Sequence, residues 1–169
     1  MMEHGLVRRV CALIVLLGLG TGLVVAQTNA KKTSAVGTWK LDVERSDFGP
    51  EPKPVSVTLT ILSDTPDIVS VRVEVVADAT NKMAYEWSGP RDGSLHPVKT
   101  ADGQTIAQES FKYDGDVLVR HVEDSSGVFD SRATMSADGN TITDNGVQRG
   151  ADGKTSNVRS VYRRVSNAK

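Results

Sequence analysis

The chain is poor in the residues that most often do chemistry. Its single cysteine, Cys11, lies inside an N-terminal apolar run, so no internal disulfide can form and stability must come from burial and hydrogen bonding. Histidine is nearly as scarce: beyond His4 there are only His96 and His121. Aromatic residues make up 5 % of the chain, and the formal charge is −1. A balance so close to neutral gives no argument for nucleic acid or an anionic membrane surface as a partner. Helical periodicity is missing as well. Beyond the apolar run, no window of a dozen residues places apolar side chains at i, i+3 and i+4, which excludes a helical bundle.

What is present begins with an address. Arg8 and Arg9 precede the apolar stretch "VCALIVLLGLGTGLVV", Val10 to Val25, and Val24 and Ala26 then supply small residues before Gln27. This is the order of a cleaved secretory signal. The run is 16 residues long, shorter than the roughly 20 that span a bilayer, so an uncleaved anchor is disfavoured. Cys11 falls too early for a lipoprotein cysteine. The expected organisation is a signal peptide at 1–26, a flexible tether at 27–34 and one domain at 35–169. Cleavage removes two Arg and one Glu, which takes the charge from −1 to −2. The expected setting is secreted or periplasmic, with no membrane insertion once the signal is gone.

Period-two alternation dominates that domain. Val55, Val57, Leu59 and Ile61 share one face of "VSVTLTI"; Val69, Val71, Val73 and Val75 share one face of "VSVRVEV"; Met83, Tyr85 and Trp87 alternate with Ala84 and Glu86. Half-buried strands show this pattern. Asp-Gly recurs at residues 92, 102, 114, 138 and 152, joined by Asn145–Gly146 and Ser126–Gly127. These dipeptides suit tight hairpin turns. Repeated Asp-Gly also occurs in calcium loops, but "SADGNT" lacks the closing Glu, and turn chemistry is the better reading. Strands are expected near 35–42, 54–63, 67–78, 82–89, 104–113, 116–123, 127–136, 139–145 and 156–165, with an extended piece at 95–99. So many consecutive antiparallel strands must remove their edges. An all-β, up-and-down barrel of eight to ten strands does so, with a sandwich as the alternative.

Gly37-Thr38-Trp39 stands on the first of these strands. A large indole there can fill the closed end of a small barrel, and Arg163 or Arg164 on the last strand can stack across it. Gly-x-Trp on the first strand with an arginine on the last resembles the lipocalin signature. Further motifs narrow the likeness: Ser46, Phe48, Gly49 and Pro50; Asp92 and Gly93 followed by Pro97 and Val98; Asp138, Gly139 and Thr141; and Tyr162 with Arg164. Together they resemble a group of uncharacterised secreted bacterial lipocalin-like proteins. The resemblance implies a lipocalin-like fold, in which Gly37, Trp39, Arg163 and Arg164 close the barrel structurally; it implies no activity. Two departures from better-known relatives stand out. Only residues 166–169 follow the last strand, too few for the usual helix. The stretch "DVERSDFGPEPKP" has too many prolines for a helical lid. Phe48 is the candidate plug of a lid formed by an irregular loop.

No catalytic centre is legible. A Ser-His-Asp arrangement finds no suitably turned serine, and neither histidine has a spacing that supports a metal. No cofactor motif is present. An eight-stranded barrel interior is either filled by side chains or holds one small ligand. Tyr85, Trp87, Phe111, Phe129, Met135 and Tyr162 are the pocket candidates. Ala107, Ser110, Ser131, Ala133 and Ser160 would leave room if they point inward. The inward face of 104–136 stays open at this level, as does the direction of Glu109. The function these features suggest is binding a small, largely apolar molecule without chemistry. The alternative is a structural or interaction module of the bacterial cell envelope, with a filled barrel.

Overall fold

Alternation and turn chemistry together produce ten strands. The computed structural model describes residues 34–65 and 67–167, with the side chains of residues 166 and 167 excepted. The expected signal peptide and most of the tether therefore lie outside the described residues. The strands are β1 (Gly37–Leu41), β2 (Ser56–Asp64), β3 (Val69–Val76), β4 (Lys82–Gly89), β5 (His96–Thr100), β6 (Thr105–Asp114), β7 (Val117–Asp124), β8 (Gly127–Met135), β9 (Thr141–Gly150) and β10 (Thr155–Asn167). Each pairs antiparallel with its neighbours in sequence, and β1 pairs with β10 to close the barrel. Closure leaves no free edge, and the sandwich is excluded. Among the described residues the one helical element is a 3-10 turn, Val43–Arg45, capped by the Asp42 side chain.

Most boundaries follow the turn signals. Gly115 and Gly139 sit at φ 60° and 70°, where only glycine is relaxed, and end hairpins. Asn145–Gly146 is a correction: it is not a turn but the middle of β9, paired with Arg132 and Ser131 of β8. A Cβ at Gly146 would stand 2.4 Å from Cζ of Phe129, so the glycine makes room for that ring. The 95–99 piece is a full strand, but its seam with β4 is short, with only Tyr85–Thr100 and Glu86–Lys99 in register. Beyond that seam the buried Trp87 indole donates to the carbonyls of Glu109, at 2.9 Å, and His96, at 3.3 Å. Its ring meets Phe111 edge-on at 4.5 Å, within a cluster that includes Val69, Val71 and Val98.

Register settles the open parity. Phe111 pairs with Arg120, Arg120 with Ser131, and Ala133 with Asp144. Glu109, Phe111 and Tyr113 on β6 thus face the lumen, together with Leu118 and Arg120 on β7 and Ser131, Ala133 and Met135 on β8. Glu86 faces out and pairs with Arg72 at 2.6 Å.

Candidate functional site

Between the packed wall around Trp87 and the opposite strands lies a cavity of about 290 Å³. Its walls are mostly aliphatic: Val57, Leu59 and Ile61 from β2, Val69, Val71, Val73 and Val75 from β3, Leu118 from β7 and Ile142 from β9. Tyr85, Phe111, Met135 and Tyr162 also line it. Trp87 and Phe129 do not. Trp87, 1 % exposed, is enclosed in the wall, and Phe129 is held over Gly146 nearer the opposite end. Phe48 does not line the cavity either. It is half-buried beside Asp47, whose backbone pairs with Arg159 of β10 through two 2.7 Å hydrogen bonds.

One side of the lumen is polar, and none of its charged residues was among the sequence candidates. Glu109 is 2 % exposed and ion-paired with Arg120, whose guanidinium also lies 5.6 Å from the Phe129 ring. Burial works against the charged form of Arg120, but the charges of Glu109 and Asp144 and the neighbouring Tyr85 outweigh it and raise its pKa. Burial raises the phenols of Tyr85 and Tyr162, so both stay protonated at neutral pH. Asp144 lines the cavity, and its buried Oδ1 has no hydrogen-bond partner among the described residues; the same holds for Oγ of Ser131. The sequence carried little warning of this cluster. In "VLVRHVED" both faces are equally apolar, so parity alone could not turn Arg120 inward.

The cavity reaches the end of the barrel where β1 begins, touching Ala35, Asp64, Asp116 and Thr134. There Arg91 pairs with Asp64 and lies 4.7 Å from the centre of the Tyr113 ring. The same end carries the Trp39 assembly. Trp39 is fully buried, and its indole donates to the Ala35 carbonyl at 2.9 Å. Arg164, rather than Arg163, covers the ring, with its guanidinium carbon 4.0 Å from the centroid. Arg163 points outward and pairs with Asp42 at 2.7 Å. The difference is one of parity: a bulge between Thr38 and Trp39 places Trp39 opposite Arg164.

The two histidines stand apart from the lumen's polar side. His96 lies edge-on to Trp87 at 6.2 Å and contacts Ser94. His121, on the outer face, has Nδ1 2.6 Å from Asp130 and Nε2 3.0 Å from Glu123. Those hydrogen bonds, first to Asp130 and then to Glu123, raise its pKa.

No family model and no curated protein matches this sequence. Solved structures do. Fatty-acid-binding protein 1 of Echinococcus granulosus matches with a TM-score of 0.55 at 15 % identity, over 79 % of this chain and 100 % of that one. The wild-type fluorescent protein UnaG matches with a TM-score of 0.53 at 15 % identity, over 77 % and 96 %. Zebrafish ileal bile acid-binding protein, complexed with cholic acid, matches with a TM-score of 0.50 at 14 % identity, over 78 % and 100 %. At these identities the likeness is one of fold alone: a closed, ten-stranded antiparallel barrel.

Proposed function

We propose that this protein is an exported lipocalin-like barrel that takes one small, largely apolar molecule into its lumen and does not transform it. The observation that carries this reading is the cavity of about 290 Å³, walled by valine, leucine, isoleucine and aromatic side chains, with its polar groups gathered on one side. Concave, mostly apolar sites with a few convergent polar groups are the usual form of small-molecule sites. Support comes from similar barrels whose names describe fatty-acid and bile-acid binding. A barrel filled by its own side chains, as a purely structural module would have, is at odds with an open lumen. Export rests on the charged, apolar and small-residue order of the first 26 residues.

The test is native mass spectrometry of the full chain expressed in a Gram-negative host. The expected result is a chain beginning at Gln27, recovered outside the cytoplasm, with a discrete extra mass that disappears on denaturation. A bare mass in the native spectrum counts against ligand retention. An intact leader in the cytoplasmic fraction counts against export.

A further inference from the structure

Charge within the lumen narrows the class of ligand. Among the described residues lining the cavity, the carboxylates are Asp64, Glu109, Asp116 and Asp144, and the guanidinium is Arg120. Arg120 is already matched by Glu109, and Asp64 by Arg91. An incoming carboxylate would have to displace Glu109, itself 2 % exposed, or add another negative charge to a low-dielectric space beside Asp144. Asp144 presents the opposite opportunity. Its buried Oδ1 has no partner among the described residues, and buried acceptors left in that condition are costly.

The wall around Asp144 is shaped to admit a group. Ala133 lies directly opposite it on β8 and Ser160 on β10, both small. Gly146, one inward position further along β9, gives its space to the Phe129 ring, which bounds this stretch. A buried carboxylate oxygen thus stands in a stretch of wall made of small residues. A protonated amine is a compact charge with several donors, and it can satisfy that oxygen.

We propose that the lumen is built for a cationic amphiphile: an apolar body against β2 and β3, with a protonated amine held by Asp144. This rests on the reading of the lumen as a ligand chamber. It departs from the anions that the names of the similar barrels describe.

The experiment is calorimetric titration of the full chain with decylamine, 1-decanol and decanoate, each below its aggregation concentration. One tail with three heads separates the head site from the chamber. The expected order is decylamine tightest, by at least about tenfold over decanol, with decanoate weakest. Asp144→Asn is expected to erase the amine preference, bringing decylamine to within about twofold of decanol in the same variant. Equal affinity for the three heads, tighter binding of decanoate, or an amine preference that survives Asp144→Asn overturns the amine site and leaves the chamber standing. No binding of any of the three overturns both. If Asp144→Asn fails to fold, the order of affinities for the wild-type protein decides alone.

Discussion

Arg164 lies across the face of Trp39, 4.0 Å from the ring centroid, and its nitrogens reach three backbone carbonyls: Gly139 at 2.8 Å, Val36 at 2.9 Å and Ser34 at 2.7 Å. One side chain on the last strand thereby fastens the first strand, the approach to it and the β8–β9 turn. Arg164→Leu is expected to destabilise the barrel by about 3 kcal/mol or more, through lost charge-assisted hydrogen bonds and the lost ring contact. Arg163→Ala removes an outward pair whose arginine is 56 % exposed, and should cost less than about 1 kcal/mol. Urea midpoints of the two variants provide the check, and similar losses would show that this division is wrong.

The ion pair between Glu109 and Arg120 has a different signature. Removing one partner leaves a buried charge uncompensated, so Glu109→Leu or Arg120→Met should each cost about 3–5 kcal/mol. The double variant Glu109→Leu with Arg120→Met replaces both charges with apolar groups and should be more stable than either single variant. Thermal melts of the four proteins form the cycle. Simple additivity of the two losses would argue against a coupled buried pair.

Gly146 and Phe129 form a close fit across the β8–β9 seam, where an added Cβ would stand 2.4 Å from Cζ and 2.9 Å from the Asp130 carbonyl. Gly146→Ala is expected to destabilise by roughly 1–3 kcal/mol. Shortening the ring with Phe129→Leu should recover part of that, giving a coupling of about 1 kcal/mol in a double-mutant cycle on denaturation midpoints. Recovery should be incomplete, because the backbone contact persists.

His121 supplies the pH dependence. Its folded pKa is raised above 6.5, chiefly by the hydrogen bond to Asp130. The stabilisation is therefore fully present below the unfolded value and is lost as pH rises through the raised folded value. The group is one-third exposed, so its contribution stays below about 1 kcal/mol. The advantage of wild type over His121→Ala should shrink as pH rises past the ordinary histidine value, and the ring resonances should titrate above that value. A titration at or below that value would remove the basis for this expectation.

Much of the fold was legible because local chemistry decides it. Alternating valines specify strands, and Asp138–Gly139 ends one hairpin wherever the rest of the chain lies. The one misread turn and the points left open share a cause. Asn145–Gly146 has the same dipeptide chemistry in a turn or a strand, and the ring that requires the glycine belongs to Phe129, on the neighbouring strand. Arg163 and Arg164 differ by one residue, and only the bulge at Thr38–Trp39 assigns one of them to the indole. The polar wall was hidden because Leu118, Arg120 and Val122 alternate with Val117, Val119 and His121, two faces of similar hydropathy. Register across neighbouring strands, which no single segment contains, turns Arg120 inward.

The most direct measurement of the central claim is calorimetric titration of 1-decanol into the wild-type chain and into Ala133→Phe. Ala133 lines the lumen, so the added ring fills space that a ligand would use. The expected result is saturable binding of one molecule per chain in the wild type, lost in the variant with the fold intact by circular dichroism. An absence of binding to the wild type, or equal binding by both proteins, would contradict the reading of the lumen as a ligand chamber.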